Sequence, residues 1–196
     1  MRMRFALLAL AALVTLPRAA SAAPDHDWMT LELKGIHPFA GLGIMGGPSL
    51  PFSANAGKAG KVDGSFLLAL RGGIYAGRNE IALEISPMTY LVNTQLPGTS
   101  FQLAFTYTGL VPLFESPKLG VYWPFRIGYG FVAANMPQNA AFMQLRIDVF
   151  GVAFRVGHLM LDFSLPAFRY LYSPGDTTGN AMFFSWLPSL QASYLF

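Results

Sequence analysis

The sequence predicts an all-β protein, an eight-stranded antiparallel up-and-down transmembrane β-barrel. Three observations carry this expectation. First, 53% of the 196 residues are hydrophobic and 12% are charged, against about 25% charged in soluble domains. Second, no stretch after the first 22 residues reaches the ~18 uninterrupted apolar residues of a membrane helix; Gly, Pro and single charges break every run. Third, large apolar residues recur on alternate positions in segments of about ten, the period of barrel strands. A chain too apolar for water and lacking a spanning helix satisfies its backbone in lipid only by closing a barrel.

The first element is a leader. Arg2 and Arg4 precede an apolar run from Phe5 to Leu16, and Ala20, Ala22 and Ala23 supply small residues for cleavage. Cleavage is expected after Ala22, because a cut after Ala23 leaves Pro24 beside the scissile bond. The organisation is then a removed signal peptide over 1–22 and a barrel domain over 23–196. The net charge of +3 resides in Arg2, Arg4 and Arg18 of the leader. Without them acidic and basic side chains balance, so nothing points to nucleic acid as a partner. The absence of cysteine removes disulfides, thiolate metal sites and cysteine nucleophiles.

Eight strand segments follow. The first, about Leu31 to Ile44, keeps its phase only if it slips near Gly35. The second places Phe66, Leu68, Leu70 and Ile74 opposite Ala69, Arg71 and Gly73. The third, fourth and fifth alternate from Ile81, from Phe101 and from Leu119 to Tyr129. The sixth runs from Met143 to Val149 and the seventh from Leu159 to Leu165. The last puts Phe184, Trp186, Leu190, Tyr194 and Phe196 on one face, with Ser185, Ser189, Gln191, Ser193 and Leu195 on the other. Gly77-Arg78-Asn79 and the neighbourhood of Gly157 read as tight turns, and Pro112 to Lys118 as a longer one. Long connections at 46–64, 92–100, 132–141 and 173–180 are the expected exterior loops. A soluble barrel of opposite polarity fails on composition. The apolar face carries more large residues than a small barrel encloses, while the other face is rich in Gly, Ala and Ser.

That parity sends Glu32, Lys34, Arg71, Glu84, Arg126, Arg146, Asp148 and Asp162 into the lumen. An eight-stranded barrel leaves little room beyond side chains, so these charges are expected to pair and close it. A turn centred on Arg78-Asn79 would set Arg71 against Ser86, with Glu84 as its diagonal neighbour. Asp148 and Asp162 both point inward only if a bulge or an odd turn intervenes, near Gly151 or Gly157.

The terminal segment MFFSWLPSLQASYLF ends on Phe196, with Tyr194, Leu190 and Trp186 on the same parity. It resembles the C-terminal assembly signal of Gram-negative outer-membrane proteins, and with the leader and eight strands the chain resembles the small OmpA/OmpX-type barrels. The resemblance implies an outer-membrane location, contact with lipid, and recognition of Trp186, Leu190, Tyr194 and Phe196 by the barrel assembly machinery.

No constellation of an enzyme stands out. His26, His37 and His158 are the only histidines, and none sits in the His-x-Ser motif of outer-membrane lipid A deacylases. Asp25-His26-Asp27 reads as solvated chain rather than a metal site, and Gly41-Leu42-Gly43 lacks the lysine of a phosphate loop. The expectation is therefore no catalytic residue, no cofactor and no metal. The role would be structural, or one of binding and adhesion through the loops. The alternatives are a minor solute channel and a lipid-modifying enzyme.

Overall fold

Alternation of apolar and small or polar residues makes strands here, and neighbouring strands find their register by keeping like faces together. The computed structural model describes residues 29–51, 63–92, 98–135, 140–165, 167–172, 183–186 and 188–196. The leader, Asp25-His26-Asp27, most of the expected exterior loops and all of 173–180 lie outside the described residues. The strand segments are β1 (Ile36–Pro51), β2 (Asp63–Ala76), β3 (Asn79–Val92), β4 (Gly98–Glu115), β5 (Leu119–Asn135), β6 (Ala140–Asp148), β7 (Gly151–Val156), β8 (Leu159–Ser164), β9 (Ala167–Tyr172), β10 (Phe183–Trp186) and β11 (Ser189–Leu195).

These segments build eight antiparallel staves. The first five are β1 to β5, and β6–β7, β8–β9 and β10–β11 form one interrupted stave each. The last stave pairs along its length with β1, through Phe39↔Leu195 and Ser49↔Ser185, and so closes the barrel. The final amide, Phe196 N, donates to Pro38 O at 2.8 Å. Among the described residues there is no helix, and the connections at one end are tight. Gly77 (φ 61°) and Gly157 (φ 54°) open two-residue turns in the left-handed region that glycine tolerates.

The faces follow the expected parity. Ile81, Phe101, Phe105, Ile127, Tyr129, Leu161 and Leu190 are exposed outside, whereas Ala82, Gln102, Thr106, Gly128, Gln144, Asp162 and Gln191 are buried inside. The polarity is that of a barrel standing in lipid.

Several sequence expectations are corrected. The β2–β3 turn is Gly77-Arg78 rather than Arg78-Asn79, so Arg71 faces Glu84 directly. β4 runs on to Glu115 through a register shift between Pro112 and Phe114, leaving a turn of only 116–118. The long connections are shorter than expected, because β1 reaches Pro51, β2 starts at Asp63 and β5 extends to Asn135. Between Arg126↔Asp148 and Tyr122↔Ala153, three residues of β5 face four of the partner stave. This bulge at Val149–Phe150 reverses the parity and lets Asp148 and Arg155 both point inward. The indole Nε1 of Trp123 donates to Val149 O at 2.7 Å, satisfying the bulge from outside. Finally, Leu31 to Gly35 is not strand. The chain passes through Gly35 (φ 89°) and crosses the turn end of the barrel, with Leu31 and Leu33 buried.

Candidate functional site

The lumen is built in layers. Inward positions of seven staves meet at mid-barrel in a belt of three arginines and four carboxylates. Arg71 of β2 binds Glu84 Oε1 at 2.8 Å and Glu80 Oε1 at 2.5 Å, both on β3. Glu84 Oε2 accepts from Arg146 of β6 at 3.2 Å, and Arg146 grips Asp148 through Nε at 2.9 Å and Nη2 at 2.5 Å. Asp148 also accepts from Arg126 of β5 at 3.3 Å. Arg126 Nε donates to Thr108 Oγ1 at 2.9 Å, and Thr108 donates to Glu80 at 3.0 Å, so the circuit returns to its start. Asp162 of β8 hangs from Arg126 Nη2 at 2.5 Å and accepts from Ser164 Oγ at 3.0 Å. Arg146 Nη2 reaches Ser189 Oγ of β11 at 3.4 Å. The eighth stave partner, β1, contributes Phe39, whose ring lies 5.7 Å from the Arg71 guanidinium.

Every belt charge is buried, and each carboxylate has a guanidinium partner. An unpaired charge at this depth would cost several kcal/mol, and the closed circuit offsets that cost. Glycine makes the space: a Cβ on Gly128 would stand 3.1 Å from Thr106 and 3.5 Å from Arg146. On the loop side lies an internal cavity of about 20 Å³ walled by Ser86, Gln102, Thr106 and Gln144, capped by Met45, Leu67 and Ala69. Its size suits about one water. Thr106 Oγ1 has no protein partner.

On the turn side the belt rests on an apolar floor of Phe39, Tyr75, Leu110, Met160 and Leu195, completed by Leu31 and Leu33. Tyr75 OH donates to Glu80 Oε2, joining floor to belt. Here sits a fourth buried arginine, Arg155, which touches no carboxylate among the described residues. Its donors go to the carbonyls of Leu31, Ser116 (2.6 Å), Pro117 (3.2 Å) and Gly157 (3.4 Å), and to Tyr122 OH (3.2 Å).

Of the eight charges expected inside, Arg71, Glu84, Arg126, Arg146, Asp148 and Asp162 lie in the belt. Glu32 and Lys34 do not. They precede β1 and pair with each other at 2.7 Å on the exposed side of the turn end, where hydrogen bonding to Glu32 raises the Lys34 ammonium above its ordinary pKa. The assumed strand phase failed there because the chain leaves the wall at Gly35. Two lumen charges escaped the sequence reading. Glu80 shares the parity of Glu84 but stands one residue before the expected strand start. Arg155 lies in a segment not assigned as strand, although Val152, Phe154 and Val156 alternate with Ala153 and Arg155.

The two described histidines are held by backbone carbonyls, His37 at Lys34 O (3.0 Å) and His158 at Leu195 O (2.7 Å). Trp186, Leu190, Tyr194 and Phe196 all point outward. Tyr194 stacks on His158 at 5.7 Å and meets the edge of Phe196 at 5.3 Å.

Fold and lumen together define the class: a closed eight-stranded antiparallel barrel with a lipid-compatible outer wall and a charged, side-chain-filled interior. Among solved structures it is similar to Neisserial surface protein A (NspA), with a TM-score of 0.54 at 11% sequence identity, over 83% of this chain and 100% of that one. No protein-family model and no curated protein matches the sequence.

Proposed function

We propose that the chain is an integral outer-membrane barrel, closed to solutes, that works through the surface it presents at its loop end. The observation that carries this reading is the inverted polarity. Large apolar side chains such as Phe105, 65% exposed, cover the outside, while Arg126 at 0% sits in a sealed circuit inside. A lumen filled with paired charges offers no path, and an exposed apolar wall of this extent needs lipid. The signal peptide over 1–22 delivers the chain, and Trp186, Leu190, Tyr194 and Phe196 engage the assembly machinery before they face lipid. Partners other than lipid dock on the exterior loops, in a structural or adhesive role. Similarity to a surface protein supports this reading and offers no support for an enzyme. Cell fractionation tests it: the protein should partition with the outer membrane and migrate faster unheated than boiled in mild detergent. Recovery as a soluble periplasmic protein would contradict the proposal.

A further inference from the structure

We propose that the turn end of the barrel is a receptor site for a short peptide, and that the chain's own residues 29–35 occupy it in cis as a ligand. This stretch makes none of the ladder pairings that define the wall. It is held through backbone groups and two alternate side chains, and it turns tightly at Leu33, where Lys34 N donates to Glu32 O at 2.7 Å. Leu31 N donates to Pro117 O at 2.9 Å, Leu31 O accepts from Arg155, and Gly35 O accepts from Gly77 N at 2.8 Å. Leu31 and Leu33 are buried in the floor while Glu32 and Lys34 stay in solvent.

Four of the five groups that hold Arg155 belong to the barrel and not to the segment. Arg155 keeps Ser116 O, Pro117 O, Gly157 O and Tyr122 OH, so its guanidinium stays aimed at the bound carbonyl. The floor residues Phe39, Tyr75, Leu110, Met160 and Leu195 come from strands whose register does not involve 29–35. The ligand that fits is a short segment with leucine-sized residues two apart, a tight turn at the second of them and a carbonyl presented to Arg155.

Hydrogen exchange on the full chain in detergent micelles tests this, with the Leu31 amide as reporter and the β4–β5 ladder as reference. A tether of this kind acts at millimolar effective concentration, so the competitor is a synthetic peptide of residues 29–35 at ~10 mM. The peptide should speed exchange at Leu31 of the chain about tenfold, by capturing the open site, and leave the ladder unchanged. The same peptide with both leucines replaced by serine should do nothing. Arg155→Met should speed Leu31 by a similar factor, with no further effect of peptide. If that variant does not assemble, the wild-type peptide arm decides alone. No acceleration by peptide, equal acceleration by the serine peptide, or exchange of Leu31 only together with the ladder would each overturn the proposal.

Discussion

Arg126 and Arg155 are equally buried, both at 0% exposure, and are held by different means. Arg126 neutralises its charge on Asp148 and Asp162, contributed by the adjacent stave and the one beyond it. Arg155 spends its donors on carbonyl dipoles gathered from three chain segments and on a tyrosine hydroxyl. The first arrangement locks staves to one another, because each ion needs its counterion. The second ties chain segments to the end of a barrel already formed. Belt and floor therefore differ in what fails when one is broken.

The largest effect is expected at the belt. Arg126→Met leaves Asp162 with Ser164 as its remaining belt partner and should cost about 3–5 kcal/mol, the usual penalty for orphaning a buried charge. Urea unfolding in lipid vesicles would read it. A loss below that of a surface substitution would mean the belt is not a coupled circuit. Outside the same wall, Phe105→Lys puts an ammonium into the apolar band and should cost ~2–4 kcal/mol or block insertion. Unchanged folding yield would place Phe105 away from lipid. The smallest effect falls on the turn end, where Glu32→Gln removes only the solvent-exposed partner of Lys34. Its unfolding midpoint should match that of the wild type, and a loss comparable to that of Arg126→Met would restore Glu32 to the lumen network.

The belt was largely legible in the sequence and the floor was not, for a physical reason. Period-2 alternation is a local property, so Glu84 between Leu83 and Ile85, or Arg126 between Phe125 and Ile127, declares its facing from its immediate neighbours. Parity fails where the chain changes phase. At Gly35 it leaves the wall, which turned Glu32 and Lys34 outward and Leu31 and Leu33 inward. At Val149–Phe150 a bulge shifts the phase, which made Asp148 and Asp162 hard to reconcile across an even turn. Arg155 was invisible for a second reason. Apart from the Tyr122 hydroxyl its partners are carbonyl groups, which every residue carries, so no residue type in the sequence marks them. The one-residue error in the β2–β3 turn has a different origin. Gly77 takes the left-handed conformation and serves as the first turn residue, which moved Glu84 from the diagonal to the rung facing Arg71.

The floor also draws on an inward residue of the last strand. Leu195 is fully buried against the floor, and its amide donates to His158 O at 2.8 Å. The carboxyl-terminal strand thus serves two layers: outward aromatics on the apolar wall, and an inward leucine for the seal.

A lumen filled by paired charges and sealed by an apolar floor should carry no current. Single-channel recording of the purified protein in planar bilayers tests it most directly. The wild type should show no steady conductance above the bare membrane. Stable, ion-selective openings in the wild type, altered in size or selectivity by Arg126→Ala, would contradict a closed barrel and make the belt a conducting path.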